Sequence, residues 1–263
     1  MTPRSALLNV MTKAVDKAAR GLKRDFGEVE QLQVSTKGPS DFVSNADLKA
    51  DRILREELAK ARPGFGFLTE ESGTTAGSDA EHRWIIDPLD GTTNFLHGLP
   101  HFAISVALEK AGEIVAGIVY DPIKNEMFVA EKGGGAFLND RRIRVSARKN
   151  LGESILATGI PFRGHGDRDS FVKQLDAAMR ETAGVRRFGA AALDLAYVAA
   201  GRYEGFWEEE LSPWDVAAGI LLVREAGGYV SDLKGGQNAL HGGSLLASNG
   251  LLHAPLQSLL KPH

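Results

Sequence analysis

The sequence contains no cysteine among its 263 residues. This absence excludes disulfide frameworks, thiolate zinc sites and every mechanism with a cysteine nucleophile. It suits a reducing compartment, and we expect a cytoplasmic protein. No apolar stretch of about 18 residues occurs, so we expect no contact with a membrane interior. The chain also lacks a large excess of positive charge. Its 31 basic and 34 acidic side chains give a net charge of −3, which creates no overall attraction to nucleic acid.

Motifs of several common enzyme classes are missing too. The chain has no G-x-x-x-x-G-K-[ST] loop, no G-x-S-x-G, no H-E-x-x-H and no G-x-G-x-x-G after a predicted strand. These absences argue against P-loop nucleotide hydrolases, α/β-hydrolases, zinc proteases and dinucleotide-binding enzymes. Asp167 follows Gly-His-Gly rather than an apolar strand, so we do not assign it as an aspartyl nucleophile.

The apolar pattern predicts a layered α/β protein. Helical spacing of apolar residues occurs over the first 26 residues and over Ala46–Ala61, and short, mostly antiparallel strands follow. Beyond residue 150, strands alternate with helices. The predicted elements there include a strand at Tyr203–Trp207, a helix at Pro213–Ala226 and a closing helix from about Asn249. No linker interrupts the chain, so we expect one domain over 1–263, with approximate halves 1–150 and 151–263 that share one active site.

The segment Trp-Ile-Ile-Asp-Pro-Leu-Asp-Gly-Thr-Thr-Asn-Phe carries the strongest chemical pattern. An apolar strand leads to Asp87, and Asp90 follows three residues later, so two carboxylates can meet at the end of a strand and bind a hard cation. Gly91 and Thr92 can then open a helical turn whose free N–H groups face an anion. The alternative is a surface turn in which Asp90 only caps a short helix.

Other acidic residues strengthen the case for an oxygen-ligand metal site. Glu70 and Glu71 follow an apolar strand at its carboxyl end. Asp215, in Ser-Pro-Trp-Asp, and Asp47, in Ser-Asn-Ala-Asp, can equally complete capping boxes, and a capping carboxylate can also be a ligand. Carboxylates without thiolate or paired histidine favour Mg²⁺ or Mn²⁺ over Zn²⁺.

Two long motifs resemble a known family. WIIDPLDGTTNFLHG closely resembles the first signature of the inositol monophosphatase family, and WDVAAGILLVREAGG resembles the second. The segments FLTEESG, FGAAALDLAYVAAG and Lys37–Asp47 extend the resemblance over nearly the whole chain, most closely to the bacterial members called extragenic suppressor proteins. One departure is Thr69, where many relatives carry glycine; it leaves Glu70 and Glu71 intact.

The resemblance implies a lithium-sensitive, Mg²⁺-dependent phosphomonoesterase that hydrolyses myo-inositol monophosphate. It also implies a sugar-phosphatase-like sandwich of five layers, αβαβα, a homodimer, and two or three Mg²⁺ ions for which Mn²⁺ can substitute. The implied metal ligands are Glu70, Asp87, the carbonyl of Leu89, Asp90 and Asp215. Glu70 and Thr92 would orient the attacking water, with Asp47 behind Thr92.

The resemblance also implies a substrate pocket. Its residues would be Gly91 and Thr92 at the phosphate, together with Gly189, Ala191, Glu208 and Asp215. Glu208 would accept hydrogen bonds from substrate hydroxyls; the alternative is a solvated acidic loop formed with Glu209 and Glu210. Lys37 matches a lysine near the metal site, or is an ordinary turn lysine. We expect His97 and His101 to be structural.

Two other functions stay open. A related phosphatase acting on histidinol phosphate or a 3′-phosphonucleotide would share the metal ligands and differ around Glu208 and Arg186–Ala191. A binding role is the second alternative, because extragenic suppressor relatives are associated with RNA polymerase antitermination. Its local candidate is Arg141–Lys149, with five basic residues in nine. That stretch can also be a solvated strand edge that charge protects from pairing.

Overall fold

Helices and strands alternate along the described part of the chain. The computed structural model describes residues 5–28, 34–36, 42–161 and 166–261, with 34–36 and 42–44 described by backbone alone. The elements are α1 (Ala6–Phe26), β1 (Val34–Thr36), β2 (Phe42–Ser44), α2 (Asn45–Ala61), β3 (Gly66–Thr69), β4 (Gly73–Thr75), β5 (His82–Asp90), α3 (Thr92–Leu96), β6 (Ala103–Lys110), β7 (Glu113–Asp121), β8 (Glu126–Glu131), β9 (Gly135–Leu138), β10 (Arg141–Arg142), β11 (Ile155–Thr158), α4 (Arg168–Glu181), β12 (Gly184–Arg186), α5 (Ala191–Ala199), β13 (Gly205–Glu209), α6 (Pro213–Glu225), β14 (Tyr229–Ser231), β15 (Ser244–Ser248) and α7 (His253–Leu259).

The larger sheet has eight strands in the order β10-β9-β8-β7-β6-β5-β3-β4. Neighbouring strands within this sheet are antiparallel, as predicted, except for β3 and β5, which run parallel. In that parallel pair Thr69 lies opposite Ile86. The carboxyl ends of β3 and β5 therefore reach the same edge of the sheet, and Glu70 and Asp87 leave their strands side by side.

The smaller sheet has five strands in the order β12-β11-β13-β15-β14. β11 is parallel to both β12 and β13, and Thr158 lies opposite Trp207. Since the two strands run in the same direction, Gly159 and Glu208 emerge next to each other.

Three apolar clusters build five layers. On β5, Trp84 and Ile86 face α1 and α2, whereas Ile85 belongs to the cluster formed with α5 and α6. On β13, Phe206 faces the same two central helices, whereas Trp207 packs with α4 and α7. This alternation follows from the two-residue period of a strand. The expected αβαβα arrangement is confirmed.

The central helices are apolar all round because each lies between two sheets. Every residue of α5 is buried, and α6 is buried from Val216 to Val223. Gly219 of α6 permits the close contact between them: three side-chain atoms of Leu195 lie within 3.0 Å of the position of an added Cβ. This contact lies one turn after Asp215 on α6.

Several boundaries differ from the predictions. β13 runs from Gly205 to Glu209, so Glu208 lies inside a strand and does not follow its end. The last helix begins at His253 instead of near Asn249, because the Asn249 side chain accepts from the Leu252 amide and donates to the Arg148 carbonyl. Among the described residues, no helix combines the length and apolarity that crossing a membrane requires. The single domain with two approximate halves stays a prediction.

Candidate active site

The end of β5 presents two carboxylates to one site. The pairing of β5 with β6 is regular to Asp87, opposite Ser105, and then shifts before Asp90, opposite Ala103. Pro88 lies within the irregularity and has no N–H for the ladder. Residues three apart on a regular strand point to opposite faces, so this irregularity lets both carboxylates face the same volume. Asp87 is 2% exposed and Asp90 is 9% exposed.

Gly91 makes the turn from β5 into α3. Its φ of 89° and ψ of 35° lie in the left-handed region, where glycine is favoured. An added Cβ would lie 3.1 Å from the His101 carbonyl oxygen. The next residue, Thr92, donates its hydroxyl to the Leu89 carbonyl at 2.9 Å. The contact of Thr92 Oγ1 with Asp47 Oδ2 is longer, 3.5 Å.

Asn94 connects this turn to the segment before α5. Its Nδ2 donates to the carbonyls of His101 at 2.8 Å and Phe188 at 2.7 Å. An added Cβ on Gly91 would lie 3.4 Å from the Gly189 carbonyl oxygen. The structure therefore brings Gly91 next to Gly189, and Ala191 follows as the first residue of α5.

Asp90 caps a helix that lies far away in the sequence. The short helix α3 begins after Gly91 with no side-chain cap, so the local-cap interpretation of Asp90 is wrong. Its Oδ2 instead accepts from the Ala192 amide at 2.8 Å, in the first turn of α5. Ala190, which precedes that helix, offers no side-chain acceptor, and Asp90 supplies one.

A second acidic group lies at the end of β3. One ligand oxygen each from Asp47, Glu70 and Glu71 lie within 4.8 Å of one another. Asp47 comes from the first turn of α2, and the Glu70 amide donates to the Ile86 carbonyl of β5 at 3.2 Å. Sequence reasoning noted Glu71 without giving it a role. Its signal was its position beside Glu70 at a strand end.

Hydrogen bonds tie the turn after β3 to α2. Ser72 Oγ donates to Asp51 Oδ2 at 2.5 Å and accepts from Arg55 Nη1 at 2.8 Å. The Ser72 amide donates to Thr69 Oγ1 at 2.9 Å. Since Asp51 lies one turn after Asp47, these bonds hold the Glu70–Glu71 turn against the helix that carries Asp47.

Asp215 caps α6 and lies close to other carboxylates of the candidate site. Its Oδ2 accepts from the Ser212 amide at 2.7 Å, which confirms the capping interpretation. Ser105, opposite Asp87 on β6, donates to the Trp214 carbonyl at 3.3 Å and so joins the start of α6 to the larger sheet. The capping bond therefore does not prevent the Asp215 carboxylate from lying close to Asp90 and Glu70.

The carboxylates repel one another. Burial, followed by repulsion from Glu70 and Asp90, raises the pKa of Asp87 well above its usual value. Burial raises the pKa of Asp90 to about 7, opposed by the Ala192 amide, with repulsion from Glu70 adding to the rise. Burial also raises the pKa of Asp215, opposed by the Ser212 amide. A bound cation relieves such repulsion. The oxygen donors, including the Leu89 carbonyl with its second lone pair, fit a hard divalent ion.

Glu208 faces the same volume from β13. Burial and, to a smaller extent, the charge of Asp90 raise the pKa of Glu208 to about 8, against the opposing effect of the Arg187 guanidinium. Glu208 is half-buried, whereas Glu210 is exposed. The acidic-loop interpretation is therefore wrong for Glu208, which lies in a strand beside the other carboxylates. Glu209 instead accepts from Gln174 at 3.1 Å.

Asp194 was missed by sequence reasoning. It lies in the first turn of α5 and is 1% exposed. Among the described residues its Oδ1 finds no hydrogen-bond partner. Burial, with repulsion from Glu208 and Asp90, raises its pKa well above the usual value. The Ala-rich apolar pattern of α5 gave no sign that this aspartate faces the site.

The remaining candidates lie elsewhere. Lys37 lies outside the described residues. His101 contacts Lys124 Nζ at 3.4 Å and packs against Phe188, and burial lowers its pKa to about 4, which agrees with a structural role. Asp167 caps α4 by accepting from the amides of Asp169 and Ser170.

Comparison with known proteins gives a consistent result. The sequence profile of the inositol monophosphatase family matches residues 4–262. The chain is 58% identical over 260 residues to an inositol-1-monophosphatase of Mesorhizobium japonicum, covering 98% of both chains. It is 44% identical over 261 residues to the Nus factor SuhB of Pseudomonas aeruginosa, covering 98% of this chain and 96% of that one. The crystal structure of extragenic suppressor protein suhB from Bartonella henselae superposes with a TM-score of 0.95 at 56% identity, covering 98% of this chain and 99% of that one.

Proposed function

Because the chain belongs to the inositol monophosphatase family, we propose that it hydrolyses myo-inositol monophosphate to inositol and inorganic phosphate. Members of the family are metal-dependent phosphatases that act on phosphate esters. The observation that carries the assignment is the meeting of Asp87, Asp90 and Asp215 beside Glu70, from three separate segments of the chain, with raised pKa values for the three aspartates.

Metal ions would be held by Glu70, Asp87, the Leu89 carbonyl, Asp90 and Asp215. Bound there, they supply a more acidic attacking water and neutralise negative charge on the leaving oxygen. We assign Mg²⁺, in two or three sites, with Mn²⁺ as a substitute, since hard oxygen donors suit both ions. Lithium should inhibit, because a monovalent ion in a carboxylate site does not supply the charge of Mg²⁺.

The chain's own groups position the reactants. The amides of Gly91 and Thr92 hold the phosphate. The left-handed turn favours glycine at position 91, and glycine has no side chain that would cover these amides. Glu70 and the Thr92 hydroxyl orient the attacking water, with Asp47 behind Thr92. Gly189, Ala191, Glu208 and Asp215 line the position of the leaving alcohol, where Glu208 accepts hydrogen bonds from ring hydroxyls. Lys37 is assigned near the metal site by resemblance alone.

Phosphate release from a panel of monoesters tests the substrate and the ion together. We expect hydrolysis of inositol 1-phosphate with Mg²⁺, and loss of that activity after treatment with EDTA until Mg²⁺ is restored, because the carboxylates need the ion to bind an anionic substrate. Histidinol phosphate, a 3′-phosphonucleotide and a sugar phosphate serve as competing substrates. A higher kcat/KM for any of these would replace the inositol assignment by that substrate. Activity that survives complete removal of metal would contradict the mechanism.

A binding role is the second candidate, because relatives are named Nus factor SuhB. The basic segment Arg141–Lys149 begins in β10, the edge strand of the larger sheet, where Arg141 and Arg142 are exposed. Within it, Arg148 pairs with Glu204 at 2.8 Å. If the segment contacts the antitermination machinery, tagged protein should retain RNA polymerase or its elongation factors from lysate, and Arg141→Glu with Arg142→Glu should abolish retention without loss of phosphatase activity. If the wild type and the double variant retain these partners equally, the segment does not make the contact, and its charge only protects the strand edge from pairing.

The homodimer and the cytoplasmic location are part of this proposal. They come from the family resemblance and from the lack of cysteine. The proposal includes a single domain, 1–263, whose two approximate halves share the site.

A further inference from the structure

The carboxylate of Glu208 lies directly against the backbone of Gly159. If Gly159 carried a Cβ, Oε1, Oε2 and Cδ of Glu208 would all lie within 2.5 Å of it. Real Cβ atoms essentially never make contacts shorter than 3.0 Å. Gly159 is buried, and its φ is not positive, so its backbone conformation does not require glycine. What requires glycine at this position is the contact with the Glu208 carboxylate.

The pairing of two strands produces this contact. Gly159 follows the last residue of β11, and Glu208 follows Trp207, the partner of Thr158 on β13. Trp207 points away into the outer apolar cluster, so Glu208 points to the opposite face, toward α5 and the catalytic volume. Its position next to Gly159 is therefore set by the register of the smaller sheet.

The other side of Glu208 is occupied by like charge. Asp90 raises the pKa of Glu208, and Glu208 in turn raises that of Asp194 on α5. Two carboxylates that share a poorly solvated space repel each other. The Glu208 carboxylate lies in the space over Gly159 that has no side chain.

We propose that Gly159 is a specificity-determining residue: by leaving the space over β11 empty, it places the Glu208 carboxylate where it accepts hydrogen bonds from the hydroxyls of a polyol phosphate. The proposal rests on the proposed function, and specifically on the role of Glu208 there. It adds that residue 159 controls this role although it donates no group of its own to the substrate.

The test is Gly159→Ala. The three heavy atoms nearest to the added methyl group all belong to the end of the Glu208 side chain, and a cavity of about 110 Å³ lined by Gly159, Trp207 and Glu208 itself gives the displaced carboxylate room to move. The fold should therefore be retained. We expect kcat/KM for inositol 1-phosphate to fall about tenfold to a hundredfold, the loss of one charged hydrogen bond, while hydrolysis of p-nitrophenyl phosphate, which has no hydroxyls, changes less than about twofold.

Two further variants make the result specific. Gly152→Ala adds the same methyl group at an exposed position before β11, where the nearest atom of the described residues, Asn150 Oδ1, is 3.5 Å away, and it should change the kcat/KM of neither substrate. Gly159→Ala in a Glu208→Gln background should cause no further loss of selectivity, because both changes remove the same interaction. Melting temperatures of the wild type, Gly159→Ala, Gly152→Ala, Glu208→Gln and the double variant should agree within a few degrees.

Three outcomes would overturn the proposal: equal losses on both substrates, unchanged hydrolysis of both substrates, or a full additional loss of selectivity in the Glu208→Gln background. A Gly159→Ala protein that melts much earlier and loses both activities would show a structural role instead. If the wild-type chain prefers another hydroxyl-bearing ester of the panel, the inositol assignment fails. The role of Gly159 is then decided by comparing the wild type and Gly159→Ala on that ester and on p-nitrophenyl phosphate.

Discussion

Asp90→Asn should lower the turnover of inositol 1-phosphate at least about a hundredfold at saturating Mg²⁺. The substitution preserves side-chain volume and removes one negative charge from a site built of oxygen ligands. Losses of that size are typical when electrostatic stabilisation of a transition state is removed. The measurement is kcat as a function of Mg²⁺ concentration, combined with the concentration of Mn²⁺ that half-saturates the protein, followed by electron paramagnetic resonance.

The fold should survive this change for a structural reason. Asn keeps an oxygen that can accept from the Ala192 amide, so the cap of α5 is retained. Asp176→Asn is the matched control, because Asp176 lies exposed on α4 and, in the described part of the chain, forms its ion pair with Arg180 on the same helix. Its activity and Mn²⁺ affinity should equal those of the wild type. Activity of Asp90→Asn close to wild type at saturating Mg²⁺ would contradict a metal-ligand role for Asp90.

Glu208→Gln should separate substrate recognition from hydrolysis. The variant keeps the shape of the side chain and replaces the carboxylate, which cations bound nearby would keep ionised, by a neutral amide. We expect transition-state stabilisation for inositol 1-phosphate, measured from the ratio of kcat/KM values, to fall by about 1–3 kcal/mol, which is the contribution of a hydrogen bond to a charged group. The loss for p-nitrophenyl phosphate should be much smaller, because that ester offers no hydroxyl to Glu208.

Glu210→Gln is the control for this prediction. Glu210 is exposed two residues further along, so neutralising it changes the local charge by the same amount outside the site. We expect no selective change. Equal losses of Glu208→Gln on both esters would instead place Glu208 among the groups that act on the phosphate and its metal ions.

Local sequence was sufficient for the elements that carry the acidic residues. Apolar residues at helical spacing predicted α1 and α2, and the apolar run before Asp87 predicted β5, because burial of one face determines such patterns. The capping box at Asp215 was also predictable, since its partner Ser212 lies three residues away. The family resemblance assigned the functional set and the five layers, and the family and the fold are confirmed.

Contacts between distant segments were not predictable from local pattern. Asp90 looked like the cap of the next helix, yet it accepts from Ala192, 102 residues later. Glu208 was predicted to follow a strand, beside two other acids, so a solvated loop stayed an alternative to its role in the substrate pocket. Only the pairing of β13 with its neighbours shows that it lies inside the strand and faces the site.

The sequence by itself determined which residues could bind a metal, because chemistry depends on residue type and the signature segments hold the types in a recognisable order. The tertiary structure alone decided which of them share a volume. Parallel pairing of β3 with β5 puts Glu70 beside Asp87, and parallel pairing of β11 with β13 puts Glu208 over Gly159. Strand register depends on the packing of whole layers, so no local pattern contains it, and the exclusion of water between those layers shifts the pKa values of the acids.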